Sequence, residues 1–297
     1  MSKLIDRKYT HGGGALFEEE RRFYEVNGYI IRKNNVSDAL LDEIGKRFID
    51  ICNGKVDVSM GMRLVKDASL RQKGVKGVNS VSKVQDCLHD DVSDPAITDA
   101  VTSIIGPNIT AIHCMVINKP PDSNPNSSMH PLHQDLHAFP FRPPERIVVS
   151  WTALEKVDKN NGGLYVVPGT QTLELQPHVY FEAFKNTFYF GVKGFDHLPK
   201  VYLDMEKGGT VFIHPLILHG SGPNITKRFR KSVSCHYADS NCYFIDVKGT
   251  VQENIGTEIM DMILKYGYSC SFVEYWKRKS RLIKGPSGNF QNFENRL

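Results

Sequence analysis

His133 and Asp135 stand two apart within the stretch His130-Pro-Leu-His-Gln-Asp-Leu-His-Ala-Phe-Pro-Phe-Arg142. On extended backbone, residues i and i+2 project from the same face, so an imidazole and a carboxylate leave the chain side by side. Three residues can thus supply two ligands of one metal ion. A third ligand is available downstream in Phe212-Ile-His-Pro-Leu-Ile-Leu-His-Gly-Ser-Gly222, which contains His214 and His219. His219 is preferred, because the turn Gly220-Ser221-Gly222 lets the backbone approach a ligand closely. His214 precedes Pro215 and is assigned to the surroundings of the site or to the fold. Arg230 opens the next apolar strand, where its planar fork can hold a carboxylate through two parallel hydrogen bonds.

Two imidazoles and one carboxylate on one face leave three metal positions open, the arrangement of non-heme Fe(II) oxygenases. Two of these positions suit 2-oxoglutarate and one suits O₂, with Arg230 pairing the far carboxylate of the cosubstrate. A His-x-Asp triplet alone arises often by chance. The four residues together, in a strand-rich region, form a specific pattern.

The elements that must carry these residues can be read from periodicity. Leu16–Val26 reads as a helix broken by Gly28, with a short strand at Tyr29-Ile-Ile. Ser37 can N-cap a second helix whose apolar positions at 36, 40, 41, 44, 48 and 51 keep the helical period. Residues 53–82 are rich in Gly, Ser and Lys without a steady period, and read as a mobile loop over the site. Pro95–Ile105 is a third helix, stopped by Gly106-Pro107. From Ile109 the pattern turns to strands at 109–117, 147–154, 163–167, 210–214 and 231–237, which implies a sandwich or jelly roll rather than alternating βαβ units. Ile255–Leu264 returns to helix, and the basic run Lys277-Arg-Lys-Ser-Arg281 reads as a solvated helix face rather than a phosphate site.

The chain of 297 residues is 40% hydrophobic and 24% charged, sufficient for a sizeable core. Its net charge of +4, from 37 Lys and Arg against 33 Asp and Glu, permits an anionic ligand but does not argue for nucleic acid. Six scattered cysteines without a Cys-x-x-Cys pair read as reduced thiols. No signal-peptide core and no apolar run of membrane-spanning length are visible. The final Asn295-Arg296-Leu297 is a loose variant of the Ser-Lys-Leu peroxisomal address.

The sequence resembles the phytanoyl-CoA dioxygenase family. The resemblance is carried by Lys83-Val-Gln-Asp86, Gly106-Pro-Asn-Ile109, Ile117-Asn-Lys-Pro-Pro-Asp122 and His130 to Arg142. It continues in Asn161-Gly162, Pro168-Gly-Thr170, His214 to Gly222, Arg230-Lys231 and Asp246 to Asn254, covering nearly the whole chain. It implies a mainly β fold with flanking helices, a cupin-like double-stranded β-helix (jelly roll). A single dioxygenase domain over 1–297 is expected: a flexible tail at 1–14, an N-terminal helical part at 15–107, a jelly-roll core at 108–247 and a C-terminal helical extension at 248–297.

The resemblance further implies Fe(II) bound by His133, Asp135 and His219, and 2-oxoglutarate held by Arg230 with Lys83, Met115, Gln134 and Trp151 around it. Taken alone, Met115 and Trp151 would be core residues and Lys83 a surface charge. The implied reaction consumes O₂, is supported by ascorbate, releases succinate and CO₂, and hydroxylates C2 of a branched acyl-CoA such as phytanoyl-CoA, the opening step of fatty acid α-oxidation. The retained carboxylate at Asp135 favours hydroxylation over halogenation. Also implied are a monomer and a peroxisomal location, with Asn295-Arg296-Leu297 addressing the import receptor. Gln171 replaces the family's usual His after Pro-Gly-Thr, which bears on local packing rather than chemistry. His130, His137 and His236 are candidates to orient the ligands. Two rival readings are a cupin-like metal hydrolase, which would activate water with the same three ligands, and a non-catalytic metal-binding jelly-roll scaffold.

Overall fold

The computed structural model describes residues 7–56, 62–66, 74, 76–86, 90–122, 128–181 and 190–292. Helix α1 (Glu18–Asn27) ends at Gly28, whose φ of 76° provides the left-handed cap that stops it. Strand β1 (Tyr29–Arg32) follows, then α2 (Asp38–Cys52), which Ser37 caps by accepting from the Leu40 amide. Strands β2 (Arg63–Lys66) and β3 (Val81–Gln85) precede helix α3 (Pro95–Ile105). The strand-rich centre comprises β4 (Ile109–Lys119), β5 (His130–His133), β6 (Phe141–Arg142), β7 (Ile147–Ala153) and β8 (Leu164–Val166). It continues with β9 (Val179–Tyr180), β10 (Phe190–Gly191), β11 (Val201–Tyr202) and β12 (Thr210–Ile213). Strands β13 (His219–Ser221), β14 (Arg230–Asp239) and β15 (Tyr243–Phe244) complete it. Helices α4 (Glu253–Lys265) and α5 (Phe272–Lys279) and strand β16 (Arg281–Lys284) close the described chain.

The major sheet runs β1-β12-β7-β14-β4-β3-β2, with β16 added to β4, and a smaller sheet runs β11-β8-β13-β5. Among the described residues all pairings are antiparallel, and the two sheets face each other as the expected cupin-like sandwich. The major sheet has two unlike faces, because strand neighbours alternate. On one, Cys114, Val116, Val233 and Cys235 pack beneath Leu41, Phe48, Val101 and Ile104 of α2 and α3. On the other, Trp151, Val149 and Val211 meet Leu164, Val166 and Leu203 of the smaller sheet.

Three boundaries differ from expectation. The region 15–107 is not only helical: β1 and the β2–β3 hairpin extend the major sheet at both ends. The stretch 53–82, expected as a loop, contains β2 and a 3₁₀ turn at Gly77–Ser80; residues 57–61, 67–73 and 75 lie outside the described residues. The four-residue strand Arg63-Leu-Val-Lys is too short to show alternation and is held by β3 rather than by its own pattern. From Arg7 on, the segment expected as a flexible tail is tied down, since Tyr9 is buried and its amide donates to Glu25, while the His11 amide donates to the Ser103 carbonyl. Residues 1–6 lie outside the described residues, as do 293–297 with Asn295-Arg296-Leu297.

The basic run at 277–281 is only in part a solvated face: Arg278 and Arg281 are exposed, but the two lysines turn inward. Lys277 is buried, and the Lys279 ammonium lies 2.8 Å from Asp86 Oδ1 with both side chains almost wholly enclosed. Asp86 also meets His113 Nδ1 at 2.5 Å, and Lys279 covers the Trp276 ring at 4.5 Å. Two aromatic rings beside Lys279 make an inward turn favourable, which a charge pattern cannot reveal. Burial acts against an ionised Asp86, yet Lys279 and then His113 hold its carboxyl well below the usual carboxylate range. Breaking a buried pair from one side leaves the other charge stranded, at a cost of about 3–5 kcal/mol. Lys279→Met is therefore expected to lose about 3–5 kcal/mol in urea unfolding at pH 7, with Asp86→Asn/Lys279→Met recovering part of it. Because Asp86 is depressed, its contribution is complete above the unfolded carboxylate value of about 3.9 and fades as pH falls below it. The wild-type and Lys279→Met melts should converge in acid.

Candidate active site

His133 ends β5 and His219 begins β13, and these two residues are direct cross-strand partners. Gly220 makes the pairing possible: a Cβ there would lie 2.7 Å from both the His130 carbonyl oxygen and the Tyr165 hydroxyl. Gln134 is extended, with φ −119° and ψ 123°, so Asp135 emerges on the same side as His133 although it already starts a 3₁₀ turn, Asp135–Ala138. His133 Nε2 lies 3.3 Å from Asp135 Oδ1, and His219 Nε2 lies 3.6 Å from Asp135 Oδ2. One ligand atom from each of the three falls within 4.8 Å of the others.

The two imidazoles are prepared alike. His133 Nδ1 donates to the Pro131 carbonyl at 2.9 Å, and His219 Nδ1 donates to the Ile217 carbonyl at 3.1 Å. Each ring thereby presents an unprotonated Nε2 to the common point, as metal ligation requires. Burial first, then the neighbouring His133, lowers His219 to about 4, so it is neutral at physiological pH. Burial opposes an ionised Asp135, yet the surrounding imidazoles of His219, His133 and His236 hold its carboxyl well below the usual range. Two imidazoles and a carboxylate fit Fe(II).

His236 supports this set, its Nε2 lying 3.2 Å from Asp135 Oδ2. His130 stacks on His133 with ring centroids 4.0 Å apart. His137 stacks on His178 at 4.2 Å and lines the cavity beside the triad. His214 is not part of the site: it is fully buried against Tyr9 at 4.8 Å, and its Nδ1 accepts from the Leu216 amide.

Sheet register gathers the remaining candidates. Met115 faces Ser234 across β4–β14, Ser234 faces Trp151 across β14–β7, and Arg230 faces Lys119. Lys83 faces Ile117 on β4, two residues from Met115. By the two-residue repeat, Lys83, Met115, Lys119, Trp151, Arg230 and His236 all belong to one face of the major sheet, and His236 reaches Asp135 from it. The Arg230 guanidinium lies 5.2 Å over the Trp151 ring and donates to Ser232 Oγ and the Gly162 carbonyl, each at 2.7 Å. Lys119, beside it, donates to Ser221 Oγ at 2.7 Å; burial and then Arg230 push its ammonium well below the usual lysine value. Burial and then Arg63 lower Lys83 to about 8. Cations crowded in a buried place create a strong preference for an anion between them.

Gln134 plays a different part from Arg230. Its amide nitrogen donates to the Glu174 and Leu216 carbonyls and its oxygen accepts from the Gln176 amide, so the side chain clamps loops around the triad. Gln171 is a packing residue, as its motif position implied: it donates to the Glu25 and Val26 carbonyls at the end of α1. Sequence reasoning missed Lys119, Gln252 and the Asp86–His113–Lys279 group. Lys119, Asp86 and Gln252 lie inside the motifs that carry the resemblance, which was the available signal.

The family profile of phytanoyl-CoA dioxygenases (PhyH) matches residues 24–232. The peroxisomal phytanoyl-CoA dioxygenase of Bos taurus is 45% identical over 293 residues, 95% of this chain and 87% of that protein. The chain belongs to the phytanoyl-CoA dioxygenase family. Its human counterpart is 42% identical, again over 95% and 87%, and the probable phytanoyl-CoA dioxygenase of Caenorhabditis elegans is 41% identical over 95% and 97%. Among solved structures, iron-bound EctD from S. alaskensis superposes with a TM-score of 0.61 at 13% identity, covering 81% of this chain and 85% of that one. The carbocyclase SnoK gives 0.60 at 17%, covering 83% and 94%; at these identities the likeness concerns the fold.

Removing the support under Asp135 should weaken the family's metal site without touching a ligand. His236→Phe is expected to lower Fe(II) affinity about 10–100-fold, read by competitive metal titration under anaerobic conditions. An affinity equal to wild type would remove His236 from the site.

Proposed function

We propose that this phytanoyl-CoA dioxygenase family member hydroxylates C2 of a branched acyl-CoA such as phytanoyl-CoA, using Fe(II), 2-oxoglutarate and O₂, and that it works as a single dioxygenase domain. The observation that carries the reading is the sheet face on which Arg230, Lys119 and Trp151 stand in register beside the His133–Asp135–His219 triad. A hydrolase needs the triad alone. Buried cations next to it suit a cosubstrate with a carboxylate at its far end.

Bound Fe(II) would supply the redox chemistry that couples decarboxylation of 2-oxoglutarate to hydroxylation. The chain's own residues supply placement. His133, Asp135 and His219 would hold the metal from one side, leaving the other for cosubstrate and oxygen. Arg230, braced by Ser232 and the Gly162 carbonyl, offers its planar fork to the distal carboxylate, with Trp151 beneath it. Lys83 and Met115 stand on the same face as further contacts, and Gln134 holds the surrounding loops in place. His236 keeps Asp135 turned towards the metal. Ascorbate would keep iron reduced.

The substrate class and a peroxisomal site of action rest on the relatives, whose names state both. Asn295-Arg296-Leu297 would then serve as the import address, and a monomer is the working form.

The test is succinate release from 2-oxoglutarate by protein reconstituted with Fe(II) and ascorbate, with and without phytanoyl-CoA. Wild type is expected to respond to the acyl-CoA and to give a 2-hydroxyacyl-CoA. His133→Ala should abolish turnover. Arg230→Ala should raise the KM for 2-oxoglutarate at least tenfold, and Arg230→Lys should fail to restore it, because an ammonium cannot reproduce the fork. Metal-loaded wild type that leaves 2-oxoglutarate untouched would sink the reading.

A further inference from the structure

A cavity of about 200 Å³ extends away from His133 and Asp135, and one wall of it belongs to α4. The α4 residues that reach it are Ile255, Glu258, Ile259 and Met262. Their spacing of i, i+3, i+4 and i+7 is a single helical stripe. Gly256 and Ile263 are the fully buried positions of the helix, and Ile259 and Met262 beside them pack partly against the same core while reaching the cavity. Gly256 lets α4 sit close, since a Cβ there would fall 2.7 Å from Val247 Cγ2. Three of the four stripe residues are apolar, and they face the cavity together with Phe139, Phe190 and Trp276.

The helix is also fixed in register with the metal ligands. Gln252, at its N-cap and almost wholly buried, shares its amide hydrogens among the Leu136, His137 and Phe139 carbonyls, each at 3.0 Å. Those carbonyls belong to the turn that begins with Asp135 and to the residue capping it. A side chain on α4 therefore lies at a set distance from Asp135. Rising ~1.5 Å per residue, Ile259 and Met262 stand about 6 Å and about 10 Å beyond Ile255 along the helix.

We propose that Ile255, Ile259 and Met262 form the acyl-chain subsite, a ruler along α4 whose zero is fixed to the metal-ligand turn by Gln252. The inference rests on the acyl-CoA reading given above. The acyl group leaves C2 near the triad and runs along the stripe, so Ile255 meets its first carbons and Met262 meets those farther out. Glu258 is the one charged group in the stripe. Burial, then Asp261, raises its carboxyl to about 7, consistent with an apolar surrounding on that side of the helix.

The experiment compares 3-methyl-branched acyl-CoAs of increasing chain length as stimulators of succinate release by wild type, Met262→Trp, Met262→Ala and Ile255→Trp. Metal content and 2-oxoglutarate binding, measured in parallel, identify any variant that has lost its fold. Filling the far end should move the optimum to shorter acyl groups, with the long-to-short ratio of kcat/KM falling about tenfold or more in Met262→Trp. The ratio should rise in Met262→Ala, a substitution that relieves rather than crowds the wall. Ile255→Trp should depress all chain lengths together. Ratios equal to wild type in both Met262 variants, with cosubstrate binding intact, would overturn the ruler. Absence of acyl-CoA stimulation in wild type would instead overturn the acyl-CoA reading on which it stands.

Discussion

The pairing of β13 with β5 is the constraint on which the rest depends. It is a short contact, and it sets His219 opposite His133 across one rung of an antiparallel ladder. An extended Gln134 then delivers Asp135 to the same point. Backbone hydrogen bonding, rather than side-chain flexibility, thus brings together ligands far apart in sequence. The rings are oriented by the same backbone, through carbonyls two residues upstream of each histidine. Ligands placed by backbone pairing lose little conformational freedom on binding a metal.

Around this rung the two faces of the major sheet divide the work. One face is apolar and buried beneath α2 and α3, and it contributes the main hydrophobic stabilisation. The other presents Lys83, Lys119 and Arg230 to an enclosed space, where cations are costly unless an anion joins them. The first face stabilises a platform on which the second can hold an unfavourable arrangement. The strain of buried charge and the affinity for a dicarboxylate are two aspects of one design.

The candidate metal triad and Arg230 were legible from type and spacing, helped by strand geometry that converts a two-residue interval into a shared face. The long helices and strands were legible for the same reason, each being longer than one period of its pattern. What escaped had no period to display. Arg63-Leu-Val-Lys is a strand only through its neighbour β3. Lys279 looks solvated in a basic run, and its burial depends on Asp86, Tyr275 and Trp276 meeting it in space. Lys119 and Gln252 sit within recognisable motifs, but their partners, Ser221 and the Leu136, His137 and Phe139 carbonyls, are set by tertiary contact alone. Tyr9 and His11 were assigned to a loose end because nothing local reports the distant Glu25 and Ser103 that hold them.

Strand β4 draws its partners from both ends of the chain: β14 along its length, β3 at Met115–Ile117 and β16 at its first residues. A ribosome completes β4 long before β14 and β16 exist. Throughout that interval the growing polypeptide carries a long strand, rich in Ile and Val, with backbone groups unpaired on its open side. All three metal-ligand residues emerge before the C-terminal helices that wall the cavity. During synthesis, then, the cavity beside the triad lacks this wall until the last helices are made. The unpaired edge of β4 makes the unfinished chain dependent on whatever keeps its neighbours apart.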